Sequence, residues 1–489
     1  MNHVEVRTGA YADSVTLLQV SRSVGTEPGV DAAMVAMATP LNLDLLAGMG
    51  FEPPQAGPND MVVAVRIAPG GELDAALAAV DRALTDARRA RATGTDDTVS
   101  PPRTTASALR DSDATLALIS VPGPHAFVEA MDALTAGRDV MVFSDNVPLD
   151  QEIRLKAAAA ERDLLVMGPD CGTAIVGGLG LGFSNAVRPG PVGVVSASGT
   201  GCQHVLSLLD AAGVGITAAL GVGGRDLSEP VGGAATWQAL RRLDADPATE
   251  LIVVVSKPPA RGVAAELRRF ASELSTPVEL LLLGRGEPDL TAGTERVLAA
   301  LDRPAPTWPT WGKRAASPRQ GSLRGLFGGG TLCDEAMVLA AEALGPVRSN
   351  IPLDPDLGLG ASLTAPAHLM IDFGDDALTA GRAHPMIDAT LRLEQLATFA
   401  ADPDTAVLLL DMVLGHGAHP DPATEFGPAI RSAVADDVPV VVALVGTAAD
   451  PQGLDRQATR LADAGAEVFA SNAAATHRAV ALVDEGGSS

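Results

Sequence analysis

Strand-sized apolar runs recur along the chain, and between them lie longer stretches where Ala and Leu fall at helical spacing among Arg, Asp and Glu. Such alternation is the sequence form of repeated βαβ units and predicts mainly parallel sheets. Early in the chain, 4–7, 33–38 and 61–67 read as strands, with helical patterns near 12–23, 42–49 and 72–92, predicting a small α/β sandwich. A polar, turn-rich stretch at 92–103 reads as a linker. Strands are then expected at 115–121, 139–143 and 164–167, and in a third unit at 192–196, 216–220, 251–256 and 278–283. The Pro- and Trp-containing stretch 304–321 breaks the pattern and reads as an extended connector. A fourth unit follows, with strands at 325–328, 368–372, 406–413, 438–444 and 467–470, and the tail DEGGSS is expected to be disordered. The resulting division is 1–100, 101–190, 191–303, a linker 304–321, and 322–487.

Composition narrows what such a chain can do. Lys and Arg total 35 against 60 Asp and Glu, a net charge of −25, which repels nucleic acid and anionic membranes as a whole. With 3% aromatic residues, stacking platforms for single-stranded nucleic acid are not expected. No apolar run approaches the ~20 residues of a membrane span, and the start lacks the basic and apolar regions of a signal peptide, so a cytoplasmic protein is expected. Three cysteines without a CxxC pair exclude a disulfide scaffold and a structural zinc site of that type.

One internal echo stands out. The third unit opens VVSASGTGCQH and the fourth GLFGGGTLCDE: a strand, a glycine turn, Gly-Thr-x-Cys and an apolar helix. Each places backbone N–H groups and a positive helix end before an anion. Ser198, Gly199, Thr200 and Gly201, and Gly329, Gly330 and Thr331, are therefore phosphate-binding candidates, although glycine turns of this kind also occur for geometry alone. Cys202 and Cys333 stand at the same turns and are expected to be buried rather than nucleophilic.

Ligands in open parallel sheets bind beyond the carboxyl ends of the strands. There the chain places Pro122, Asp145, Asn146, Pro169, Asp170 and Cys171, then Gly223 and Gly224, as candidate CoA or substrate contacts. Arg225 and Lys257 supply cations at strand ends, although Asp226 offers Arg225 an internal partner. Arg382 and His384 lie in a loop with several acids, and His416 and His419 in GHGAHPD, suited to acid–base work or phosphate contact. No third ligand stands at a defined spacing from these histidines, so no metal site is expected. The run 177–182 does not open a helix after a strand, which rejects a dinucleotide fingerprint and suggests an interdomain loop. Walker, GxSxG and HExxH motifs are absent.

The succession LLVMGPDCGT, GPVGVVSASGTG, GVGGRD, VSKPPA, GLFGGGTLCDEA, DFGDD, GRAHPMID and GHGAHPDPA resembles the FdrA family, a branch of the succinyl-CoA synthetase and acyl-CoA ligase superfamily. The resemblance covers nearly the whole chain, although family members often run longer at the C-terminus. It implies a small N-terminal α/β sandwich, a Rossmann-like CoA-binding domain and two flavodoxin-like ligase domains of succinyl-CoA-synthetase type. It also implies two phosphate cradles, one at the SGTG loop and one at Gly415, Gly417, Ala418 and His419. The superfamily's phosphohistidine has no counterpart, because the corresponding stretch, LLLLGRGEPDLTAGTERV, lacks histidine, and no ATP-grasp domain is present. The family's link to carbamoyl transfer with oxamate in purine and allantoin degradation implies a subunit of a multi-protein enzyme. Its substrates would be an acyl or carbamoyl phosphate and a carboxylate or amide acceptor, with CoA as the cofactor to consider. The alternatives are an NDP-forming acyl-CoA synthetase subunit and a non-catalytic CoA- or metabolite-binding scaffold.

Overall fold

The fold is taken from a computed structural model that describes every residue except 11, 13, 58–59, 93–101, 103, 111, 315–316, 361, 380–381 and 485–489. The expected linker at 92–103 and the last residues of the tail fall largely on residues outside this description. The chain divides into two compact units, Met1–Pro101 and Pro102–Ser489.

The first unit runs β1 (Asn2–Arg7), α1 (Ser14–Gly25), β2 (Val30–Met37), α2 (Pro40–Gly48), β3 (Met61–Ile67) and α3 (Leu73–Ala92). Its sheet, ordered β1-β3-β2, is antiparallel throughout, unlike the mainly parallel pairing expected from the alternation. Alternate residues of β3 serve two cores. Met61, Val63 and Val65 join Leu17, Val20 and Val80 on one face, while Val62 and Ala64 meet Leu46 and Phe51 on the other.

The second unit begins with α4 (Thr105–Arg110), β4 (Leu116–Ile119), α5 (Gly123–Thr135), β5 (Asp139–Val142), α6 (Leu149–Ala160) and β6 (Val166–Met167). Here the three strands are parallel, in the order β4-β5-β6. A hairpin follows, β7 (Thr173–Val176) and β8 (Leu179–Gly182), where an interdomain loop was expected. Gly177 and Gly178, with φ of 58° and 77°, form its two-residue turn, in which both central residues need positive φ. The hairpin borders a larger sheet formed with β9 (Pro189–Ala197), β10 (Ile216–Gly221), β11 (Leu251–Ser256) and β12 (Val278–Leu282), ordered β12-β11-β9-β10-β7-β8. Its helices are α7 (Gly199–Ala211), α8 (Ala234–Asp244), α9 (Arg261–Ala271) and α10 (Leu290–Ala300).

Within the connector, β13 (Thr310–Trp311) adds an antiparallel edge to the last sheet, and β14 (Arg319–Gln320) pairs with the chain's final strand. That last sheet comprises β15 (Ser322–Phe327), β16 (Arg348–Ser349), β17 (Leu369–Asp372), β18 (Thr405–Val413), β19 (Val440–Val445) and β20 (Glu467–Phe469), with β21 (Val483–Asp484) outside it. The intervening helices are α11 (Gly330–Leu344), α12 (Asp376–Thr379), α13 (Thr390–Ala400), α14 (Pro422–Ala435), α15 (Leu454–Asp463) and α16 (Asn472–Val480).

The two large sheets face each other through α7 and α10 from one and α11 and α16 from the other. Leu206, Leu209, Val297, Leu298, Leu332, Ala336 and Ala479, all essentially buried, share one apolar core across this joint. The order β12-β11-β9-β10 in one sheet repeats as β19-β18-β15-β17 in the other, so the SGTG and GGGT turns follow matching strands, β9 and β15. Polar links follow the same relation. Glu335 accepts from Leu290 N at the start of α10, and His204 Nε2 accepts from Asn472 N at the start of α16.

Candidate functional site

The two glycine turns lie against each other. Ser198 caps α7 by accepting from Gly201 N at 2.9 Å, and its hydroxyl also donates to Thr331 Oγ1 at 2.6 Å. A Cβ on Gly329 would fall 2.3 Å from Thr200 Oγ1, so glycine is needed there for the helix ends to approach. The Ser198 hydroxyl is thus spent on the joint between the loops, where Thr331 Oγ1 accepts its proton. Asp411, a carboxylate inside the apolar strand β18, holds the second turn through Gly328 N at 2.7 Å and is itself held by Arg392 at 2.6 Å.

Beyond these turns, the strand ends of all three parallel arrays converge in one crevice. Asp145 and Asp170 follow β5 and β6, Arg225 follows β10, Lys257 follows β11, and Asp372 ends β17. Close packing joins the loops: a Cβ on Gly223 would fall 2.4 Å from Pro169 O, and one on Gly224 would lie 3.7 Å from Asp170 Oδ2. Asp170 is exposed and Lys257 half-buried, yet protein crowds both closely.

Lys257 is the centre of the cluster. Burial opposes its charge, but Asp334, Asp372 and Asp170 outweigh that cost and hold its pKa above the ordinary value. Among the described residues its ammonium makes no ion pair or hydrogen bond. A Cβ at Gly330 would lie 2.7 Å from both Lys257 Nζ and Asp372 Oδ2, so the first residue of α11 forms the wall between them. Burial pushes Asp170 and Asp334 up to about 7 and Asp372 to about 6, with Lys257 pulling each the other way. These carboxyls therefore exchange protons near neutral pH, the range that suits acid–base chemistry.

His384 adds a neutral donor. Its Nδ1 accepts from Met386 N at 3.2 Å, which assigns the ring proton to Nε2, and Nε2 lies 3.2 Å from the position of a Cβ on Gly374, beside Asp372. Burial first, and then Arg392, lower its pKa to about 4.

Other residues singled out in the sequence lie elsewhere or are already engaged. Arg225 does not pair with Asp226; it donates to Glu152 Oε2 at 3.0 Å and to Val147 O at 2.7 Å. Asp226 instead meets Lys156, itself bound to Glu152, in a fully buried group. Arg382 and His416 are exposed, and among the described residues neither is coupled to the crevice carboxylates. In the loop proposed as a second cradle, Gly415 N goes to Gln452 Oε1, His416 N to Ser184 O and His419 N to Met386 O, which engages three of its donors. Gly417 is exposed, and Ala418 packs against the shared core. Pro122 and Asn146 are exposed at the strand ends, while Cys171 is buried with its thiol pushed far up, as are Cys202, to about 12, and Cys333. Burial thus suppresses thiolate formation at all three cysteines.

Asp334, Glu152, Lys156 and Asp411 were not identified from sequence. Only Asp411 carried a signal, as a lone acid inside VLLLDMVL.

Parallel sheets with a crevice at their carboxyl ends, duplicated around paired helix N-termini, define an acyl-CoA-synthetase-like protein. Family models agree: "CoA-ligase" matches residues 326–482, and "AllF, heavy metal-associated domain" matches residues 1–101. Residues 1–101 contain no cysteine and a single histidine, His3. YahF of Escherichia coli (strain K12) is 37% identical over 504 residues, covering 96% of each chain. The chain belongs to the FdrA family of the succinyl-CoA synthetase superfamily. Subunit alpha 2 of the ADP-forming succinate–CoA ligase of Archaeoglobus fulgidus is 32% identical over 187 residues, 37% of this chain and 63% of that protein. A solved structure of the dinucleotide-forming acetyl-coenzyme A synthetase 1 of Ca. Korarchaeum cryptofilum, in complex with phosphate and ADP, is 17% identical. It covers 79% of this chain and 86% of that one, with a TM-score of 0.32. No helix among the described residues is long and apolar enough to cross a membrane.

Proposed function

We propose that the chain is a subunit of a group-transfer enzyme that handles an acyl phosphate, carrying a carbamoyl group between carbamoyl phosphate and oxamate. The observation that carries this reading is Lys257, a half-buried ammonium without a bonded partner among the described residues, set at the start of α11 among carboxyls that titrate near neutrality. An ammonium in that position can polarise an acyl carbonyl and take up charge on its oxygen as a nucleophile adds. The α11 N-terminus contributes positive partial charge to the departing phosphate. Carboxyls that hold protons near neutral pH reduce the repulsion an anionic substrate would meet, and one that is ionised can take the proton the attacking amide nitrogen loses as phosphate departs. No phosphohistidine is needed, because an acyl phosphate arrives already activated.

An acyl-CoA ligase subunit is the second reading, favoured by the likeness to a named succinate–CoA ligase subunit. Melting temperature measured against increasing carbamoyl phosphate, oxamate, CoA and ATP separates the two, since a ligand of the native state stabilises it by mass action. Stabilisation by carbamoyl phosphate and oxamate supports transfer. Stabilisation by CoA alone overturns it in favour of the ligase.

A further inference from the structure

Asp334 retains about 6% of its surface and, among the described residues, has no hydrogen-bond donor and no ion pair. Its carboxyl oxygens are not among the sealed polar atoms left without a partner; they stay open to water, which a ligand in the crevice can replace. Its strongest favourable electrostatic partner is Lys257, which is likewise unbonded among the described residues and packs against Gly330 at the start of the helix that carries Asp334. One acceptor and one donor, not bonded to each other, complement a group that presents N–H and C=O side by side. A primary carboxamide does so; a carboxylate, which offers only acceptors, does not.

We propose that Asp334 is a specificity-determining residue that accepts the N–H of a carboxamide whose carbonyl oxygen lies on Lys257. This inference rests on the acyl-phosphate reading and adds to it the residue that distinguishes an amide from an acid. Glu335, the next residue, cannot take that part, because its two oxygens already accept from Leu290 N at 2.6 Å and Asn472 Nδ2 at 2.7 Å.

Oxamate and oxalate test the proposal, since they share one carboxylate and differ in amide against acid. Calorimetric titration of the full chain is expected to show oxamate bound more tightly than oxalate by roughly tenfold to a hundredfold, the range for a hydrogen bond to a charged group. In Asp334→Asn the preference should fall to about one. Oxamate binding should also release a proton in the wild type and not in the variant, read from the dependence of the heat on buffer ionisation. A merely structural role for Asp334 would leave that release unchanged. Equal binding of oxamate and oxalate by the wild type, or a preference that survives Asp334→Asn, overturns the proposal. If carbamoyl phosphate binds while the amide preference is missing, the acyl-phosphate reading stands and only the role of Asp334 falls. Absence of binding by carbamoyl phosphate, oxamate and oxalate alike overturns both.

Discussion

Replacing Lys156 by methionine tests how the crevice wall is held. Lys156 Nζ donates to Glu152 Oε1 at 2.7 Å, Asp226 Oδ1 at 2.7 Å and Val222 O at 3.0 Å, with all three side chains fully buried. Asp226 in turn accepts from Ala235 N and Thr236 N at the start of α8, and Glu152 holds Arg225. Methionine matches the stem but not the charge. It would leave two buried carboxylates close together, with Arg225 the remaining cation on one of them. Removing one partner of a buried ion pair costs about 3–5 kcal/mol, and here a single cation serves two acids. Against a typical stability of about 5–15 kcal/mol, that is roughly a fifth of the total or more. Denaturant unfolding followed by tryptophan fluorescence reports this unit alone, since all three tryptophans, Trp237, Trp308 and Trp311, lie in it. Neutralising all three groups, with Glu152→Gln and Asp226→Asn added, should recover most of the loss, because no uncompensated charge then remains. A Lys156→Met variant within about 1 kcal/mol of the wild type would refute the reasoning, since that is the scale of an exposed pair.

Gly329→Ala places a methyl on the Thr200 side chain and should destabilise the joint between α7 and α11 by about 1–3 kcal/mol; Thr200→Ala in the same chain should return part of that loss in the same unfolding measurement. His204, fully buried with its pKa lowered to about 4 by burial, stays neutral in the fold while an unfolded histidine protonates below about 6.5. Its contribution is therefore complete above pH 6.5 and is lost as pH falls toward 4, by up to about 3 kcal/mol. His204→Gln should show a correspondingly smaller loss of stability between pH 7.5 and pH 4.5, and an unchanged acid slope would refute the assignment.

Patterning made the strand positions legible: the expected 61–67 and 251–256 match Met61–Ile67 and Leu251–Ser256, and most others shift by a residue or two. The echo of the two glycine turns was legible because strand, turn and cap are local. The hairpin at 173–182 was not, since TAIVGGLGLG is too rich in glycine for its alternation to register, and its pairing is fixed by a sheet formed later in the chain. Lys156 shows the limit most clearly. With Glu152 four residues before it on a helix, it reads as a solvated surface pair, and only Asp226, 70 residues on, converts it into a buried one. Asp334 was passed over for a related reason: in TLCDEAM it resembles any acid near a helix start, and its isolation depends on Lys257, brought by another sheet.

Joining two similar halves in one polypeptide also frees them from identity. In a dimer of equal subunits, whatever one helix start carries at the joint, its mate must carry too, and a cation there would meet its own copy. Here the matching positions of the two turns hold Gln203 and His204 on one side, Asp334 and Glu335 on the other. The carboxylate and the lysine it faces can therefore be drawn from different halves, as Asp334 and Lys257 are. One chain then forms one unlike-sided crevice, and the stoichiometry expected of it is a single ligand per polypeptide.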